Sequence, residues 1–179
     1  DALPRFVAGY PIAGAEKSGV EASTATLYQR HRVILTPHEA QAPDALAKVE
    51  AMWRATGAEV LSMDADHHDQ VLAATSHLPH LLAYALVNCL LDLEGGDNVL
   101  DYAAGGFRDF TRIASSNPAM WRDISLANAP ALIAMCERYE AVLARFRAAI
   151  ARADGAALEE AFARAKTARD EYLERIGQR

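Results

Sequence analysis

The chain has little cysteine, no run of basic residues and no apolar stretch long enough to span a bilayer, and each shortage removes a class of function. Cys89 and Cys136 are the two cysteines in 179 residues. Both fall within apolar helical patterns, where a free thiol behaves as a small hydrophobe, so a disulfide scaffold is not expected and a reducing, cytoplasmic setting is. Lys and Arg number 18 against 24 Asp and Glu, for a net charge of −6, and they are scattered along the chain. Without a basic stripe, neither nucleic acid nor an anionic membrane is an expected partner. The most apolar segment, 71–91, is broken by His, Pro and Asn, well short of the roughly 20 apolar residues that cross a bilayer. No signal peptide is read at Asp1, and a first residue other than Met suggests a processed or truncated piece of a longer protein. Glycines at 9, 14 and 19 are too widely spaced for a G-x-G-x-x-G dinucleotide loop.

What is present divides into two unlike parts. In residues 1–63, Phe6 to Ala8 reads as a short strand running into the loop GYPIAGAEKSG, and RVILTP is a strand ended by Pro37. PDALAKVEAMWRAT, 43–56, has apolar residues at 46, 49, 52 and 53, which predicts an amphipathic helix with Pro43 in its first turn and Gly57 at its end. AEVLSM supplies another strand. Strand, helix, strand is a βαβ crossover, but two or three strands with one helix cannot cover both faces of a sheet. This part reads as a remnant of an α/β domain.

From Asp64 onward, 64–179, every periodic segment is helical. Asp64 or Asp66 caps a helix carrying His67 and His68. A rod over 71–91, a turn at Gly95–Gly96, a helix from about Val99, a break at Gly105–Gly106 and a short helix to Ala114 follow. Ser116, Asn117 and Pro118 start a helix to 128, and two long helices, roughly 130–152 and 156–176, are turned by Asp154–Gly155. The fold class is therefore mainly α. The last two helices need a neighbour for their apolar face, which a partner subunit could supply.

Three stretches carry chemistry. The 71–91 rod is apolar on nearly every side and is expected to be buried all round, yet His77, His80, Tyr84 and Asn88 fall on one helical face. Burying such a line is costly unless each group finds a partner, so it should face a cavity, a ligand or a polar network. Pro79, between the histidines, should kink the helix or start it and leave carbonyls free. In GGFRDFTRIASSNPAMWRDI, 105–124, paired glycines allow close approach of a ligand to the backbone, and Asp109 lies one turn before Arg112, where it can steady the guanidinium against an anion. The loop GYPIAGAEKSGVEAS brings Glu16 and Lys17 to a strand end, where open α/β sheets form crevices.

Together GYPIAGAEKSGVEAS, VILTP, HHDQVLAATSHLPHLLAYAL and AAGGFRDFTRIASSNPAMWRDI resemble the prephenate dehydrogenases and their arogenate and cyclohexadienyl relatives. The resemblance implies a Rossmann domain, of which this chain would hold the last strands, followed by a helical domain that forms a homodimer. It implies oxidative decarboxylation of prephenate or arogenate, with hydride passing to NAD or NADP bound mainly by residues before Asp1, so that this chain alone is expected to be inactive. By the same resemblance Arg112 would grip the ring carboxylate with Asp109 steadying it. His77 and His80 would line the substrate pocket, Gly105 and Trp121 would contact the substrate tail, and Glu16 would act in a gating loop. Tyr10 stands where the family's GHPIAG motif has its proton-accepting histidine. An ordinary tyrosine titrates near pH 10 and a histidine near 6.5, so the departure leads to the expectation of a slow enzyme that histidine at position 10 would speed.

Two other readings compete. His67, His68, Asp69, His77 and His80 form an imidazole and carboxylate cluster of the kind that helical HD-type metallohydrolases use, although the spacing does not let all of them converge from straight helices. The chain could also be a helical dimerisation module without catalysis. The resemblance itself calls for no metal.

Overall fold

A computed structural model describes residues 2–13, 19–93 and 99–177. Glu16, Lys17 and the expected turn at Gly95–Gly96 lie outside the described residues. The residues from Asp1 to Leu132 form one compact unit, and Ile133 to Arg179 form a second.

The first unit is built on a three-stranded sheet in the order β1-β2-β3, with β1 at Gly9–Ile12, β2 at Arg32–Leu35 and β3 at Glu59–Ser62. β2 is the central strand and the most apolar, and its Val33, Ile34 and Leu35 are all buried. β2 and β3 are parallel, Arg32 opposite Glu59 and Leu35 opposite Ser62, as a crossover through the intervening helix requires. β1 runs antiparallel, with Gly9 opposite Leu35 and Ile12 opposite Arg32.

The first strand is thus Gly9–Ile12 and not Phe6–Ala8. Gly and Pro are poor strand formers, which hides β1 in the sequence, but on an edge the missing N–H of Pro11 is tolerated. Gly9 has a packing reason. A Cβ there would lie 2.8 Å from Cδ2 of the buried Leu35.

Helix α1, Pro43–Ala55, lays Leu46, Val49 and Trp53 on the core of Val33, Leu35, Ala58 and Val60. Met52, expected on the same face, is half exposed. Trp53 packs edge-on against Tyr28, with ring centroids 5.1 Å apart. The helix ends where Gly57 takes a left-handed φ of +84°, the conformation that terminates helices when no Cβ opposes it.

Helix α2, Ala65–Leu72, begins at Asp64, whose carboxylate accepts from the His67 N–H at 3.0 Å. It runs on through a π-helical turn, Ala73–His77, into α3, Leu78–Leu91. Pro79 stands at the start of α3, so the proline begins a helical segment immediately after a widened turn rather than bending a straight rod. The rod is not buried all round. Ala73, His77, Leu78 and Ala83 are buried, whereas Leu81, Cys89 and Leu91 are exposed, because among the described residues α3 packs mainly on the π-helical turn, on α4 and on the turn after α4.

The glycine pair does not break a helix but opens one: α4 is Gly105–Thr111, followed by a 3-10 turn, Arg112–Ser115. The expected helix from Val99 is a single 3-10 turn, Val99–Tyr102. Helix α5, Pro118–Ala127, is capped by Asn117, whose side-chain oxygen accepts from the N–H groups of Ala119 and Met120. Helices α6, Ala129–Ala151, and α7, Gly155–Gly177, follow. In the second unit they form a hairpin closed by stacked Phe146 and Phe162 and capped by Asp154, which accepts from the Ala157 N–H.

A Cβ at Gly57 would meet strained backbone and would stand 3.1 Å from Gln29 Cγ. Gly57→Ala is therefore expected to cost about 1–2 kcal/mol of unfolding free energy, read as a lower urea midpoint at unchanged slope. An unchanged midpoint would show that the left-handed turn is not required.

Candidate functional site

The histidines and aromatics singled out in the sequence lie on one continuous wall within the first unit. At one end, on β1, the Tyr10 ring meets the His68 ring edge-on, with centroids 5.6 Å apart. His68 Nδ1 lies 2.9 Å from Asp69 Oδ1. The wall continues through Asn128, whose side-chain nitrogen donates both to the backbone carbonyl of Asp69 at 2.8 Å and to His77 Nδ1 at 3.2 Å. His77 then meets Trp121 edge-on at 6.2 Å, and Trp121 stacks on His80 at 3.6 Å with planes 19° apart. The π-helical turn makes this possible. It changes the angular step between α2 and α3, so that His68 on one side of it and His77 and His80 on the other reach neighbouring parts of one surface.

The hydrogen bonds assign the ring protons. A carboxylate and a carbonyl can only accept, so His68 Nδ1 donates to Asp69 and His80 Nδ1 donates to the Ser76 carbonyl at 2.9 Å. Next to Pro79, which has no N–H of its own to donate, the His80 bond reaches back one turn to Ser76. Asn128 is turned the other way: its NH₂ bonds a carbonyl, so the His77 nitrogen it touches must be a bare acceptor. In the neutral rings, His77 therefore carries its proton on Nε2, and His68 and His80 carry theirs on Nδ1. His68 Nε2 is buried and has no hydrogen-bond partner among the described residues, and Trp121 Nε1 shares that condition.

The other polar residues of the rod are also partnered. The Tyr84 hydroxyl donates to the Ser116 carbonyl at 2.7 Å, which ties α3 to the start of α5. Asn88 is exposed and donates to the Tyr84 carbonyl on its own helix.

The remaining candidates are placed as follows. Arg112, at the start of the 3-10 turn packed on α3, is near enough to His80 for its charge to disfavour the imidazolium. Asp109 forms an ion pair with its neighbour Arg108 at 3.6 Å, and both side chains are exposed. Gly105 is the first residue of α4, and a Cβ there would meet nothing within 4 Å. Among the described residues, no packing demands that glycine. Asn128 was not singled out from sequence, although it is the buried hub of the wall. Its signal was its position alone, an asparagine at a helix junction before Ala129 and Pro130.

Among the described residues, no three His, Cys, Asp or Glu side chains are grouped as metal ligands. Asn128 separates the His68–Asp69 pair from His77, and His80 faces an indole. The dense histidine spacing that suggested a metallohydrolase is resolved into pairs that serve hydrogen bonding and stacking.

Burial holds both His77 and His80 below the ordinary histidine range. Asp69 partly opposes the shift at His77, and the Ser76 bond opposes it at His80, while Arg112 reinforces it there. Folding thus favours the neutral rings. Above an unfolded value near 6.5 both states are neutral. As pH falls through it, the unfolded chain takes up protons that the folded one refuses, so stability drops toward acid. The melting temperature is expected to decline from about pH 7.5 to 5.5, and the double variant His77→Gln, His80→Gln should flatten that decline. A slope equal to the parent's would mean that other groups set the pH dependence.

Comparison with known proteins places this geometry. Residues 1–62 match the nucleotide-binding domain described for prephenate dehydrogenase, and residues 64–164 match the prephenate dehydrogenase dimerization domain. The chain is 43% identical over 173 residues to the cyclohexadienyl dehydrogenase of Zymomonas mobilis, covering 94% of this chain and 59% of that protein. It is 36% identical over 170 residues to the prephenate dehydrogenase of Bacillus subtilis, covering 93% and 45%. The crystal structure of A. aeolicus prephenate dehydrogenase with hydroxyphenyl propionate and NAD+ superposes with a TM-score of 0.90 at 41% identity, over 94% of this chain and 59% of that one. Synechocystis arogenate dehydrogenase superposes with a TM-score of 0.82 at 26% identity, over 94% and 62%. The chain therefore spans about half the length of the relatives it matches. With family descriptions meeting end to end along the sequence and the α/β remnant and helical part both reproduced, the chain belongs to the prephenate dehydrogenase family.

Proposed function

We propose that this chain is the substrate-binding part of an NAD- or NADP-dependent dehydrogenase that oxidatively decarboxylates prephenate or arogenate to 4-hydroxyphenylpyruvate or tyrosine. The observation that carries the reading is the convergence of the Pro79-flanking histidines with Trp121 and Arg112. Such a wall suits a ring that bears a carboxylate at one end and a hydroxyl at the other. Arg112 binds the ring carboxylate, since a guanidinium matches that group in bidentate fashion. Asp109, one turn before it, helps to orient it. His77 and His80, kept neutral by burial, line the ring without adding charge beside Arg112. Trp121 and Gly105 contact the substrate tail, Tyr10 hydrogen-bonds the hydroxyl, and Glu16 acts in the entry loop.

When bound, a nicotinamide accepts the hydride from the ring carbon that carries the hydroxyl. This chain contributes little to holding that cofactor. The connections that lead from β2 into α1, residues 36–42, and from β3 into α2 contain no glycine, so neither forms the glycine turn that cradles a pyrophosphate. The grip belongs to the further nucleotide-binding length that the relatives carry, and the isolated chain is inactive.

The helical part makes a homodimer. Leu143, Ile150 and Phe162 on the terminal hairpin are more than half exposed, apolar side chains that a partner subunit would cover. Light scattering should give twice the chain mass, and Ile150→Asp should reduce it to one. A monomeric parent at micromolar concentration would remove this part of the reading.

In the full-length protein, Arg112→Ala is expected to raise the KM for prephenate or arogenate by about 10- to 100-fold, the loss of a charge-assisted pair. Nicotinamide reduction with neither substrate would overturn the assignment.

A further inference from the structure

Tyr10 leaves the hydroxyl end of the site with a side chain that is a poor proton acceptor by itself. What stands behind it supplies one. His68, the ring packed edge-on against Tyr10, is oriented by its Nδ1–H bond to the Asp69 carboxylate. In the neutral ring that bond fixes the tautomer and turns the Nε2 lone pair away from Asp69. The same Nε2 is buried and unpartnered among the described residues. A buried acceptor without a donor is rare enough in folded proteins to need a reason.

Of the three imidazoles on the wall, His77 Nδ1 is already committed to Asn128, and His80 is stacked on Trp121 at the Arg112 end. His68 is the one beside Tyr10. Its Nε2 is shielded, so a substrate cannot reach it directly, whereas the Tyr10 side chain on the strand edge is half-exposed and packs edge-on against the His68 ring; the relay requires the Tyr10 hydroxyl to turn toward Nε2.

We infer that Tyr10, His68 and Asp69 form a proton relay that replaces the single histidine at this place in the family, an inference that rests on the dehydrogenase reading above. As the ring carbon gives up its hydride to the oxidised nicotinamide, the substrate O–H proton passes to the Tyr10 oxygen while Tyr10's own proton passes to His68 Nε2. The Asp69 carboxylate stabilises the imidazolium that results. The ring–carboxylate bond then breaks, carbon dioxide leaves, and the electron pair flows into the ring to give a phenolate oxygen. That oxygen takes the proton back from His68 through Tyr10, so the relay ends as it began. Because Tyr10 exchanges one proton for another, it never has to exist as a free phenolate.

The test is a mutant cycle in the full-length protein, followed by nicotinamide reduction. In the parent, His68→Gln is expected to lower kcat by about 10²-fold or more, with KM changed less than threefold. In the Tyr10→His background, where the residue at position 10 carries its own lone pair to the substrate, the same His68→Gln change is expected to cost less than threefold. A purely structural His68 would cost the same factor in both backgrounds, and that result overturns the relay. So does a parent loss of less than tenfold, or a parent that is inactive while Tyr10→His is active. Inactivity of both parent and Tyr10→His with prephenate and with arogenate would overturn the dehydrogenase reading itself. Activity of the double variant also shows that the site folds without His68, which separates loss of the relay from loss of the fold.

Discussion

The side-chain amide of Asn128 is the contact on which the rest of the site depends. It donates to the Asp69 carbonyl in α2 and to His77 Nδ1 at the end of the π-helical turn, and so ties the junction of α5 and α6 to the helix that carries every imidazole of the wall. Both bonds are shielded from water, since Asn128 and His77 are each more than nine-tenths buried. In such surroundings an unsatisfied amide or imidazole is costly, and a satisfied pair admits few alternatives. The amide therefore determines which nitrogen of His77 carries the proton. It also keeps that ring neutral, because an imidazolium would set an N–H against an NH₂.

That constraint propagates. With His77 neutral and edge-on to Trp121, the indole can lie flat on His80, and His80 Nδ1 can donate to the Ser76 carbonyl one turn back. Charged groups stand near both ends of the wall: Arg112 near His80, and Asp69 beside His68. A neutral middle between a cationic end and an imidazole–carboxylate end suits a guest that is anionic at one side and must lose a proton at the other.

The sheet plays a supporting part with one direct consequence. β1 passes close over the buried Leu35 because Gly9 has no side chain, and the next residue along that strand is Tyr10. The register that pairs Tyr10 with Ile34 is what delivers the phenol to His68. Position 10 is thus held by the α/β remnant and the imidazole behind it by the helical rod, so the site needs both parts even within this chain.

Much of this was legible in the sequence. The 3.6-residue spacing of His77, His80 and Tyr84, the helix-start signals at Pro43, Asp64 and Pro118, and the turn at Asp154 rest on local backbone chemistry, and local rules were enough to read them. The motifs around Tyr10, His80 and Arg112 were enough to read the family. Four things depended on the tertiary structure. The first strand was misplaced because an edge position and a neighbour's side chain, not propensity, decide that Gly and Pro can pair there. The rod was read as fully buried because composition reports what a helix prefers and not how many neighbours one chain can offer it. Asn128 was passed over because its partners lie 59 and 51 residues away, a distance no local pattern spans. The contact of Tyr10 with His68 was equally invisible, since only the folded backbone brings the edge strand and the helical rod close enough for the two rings to meet edge-on.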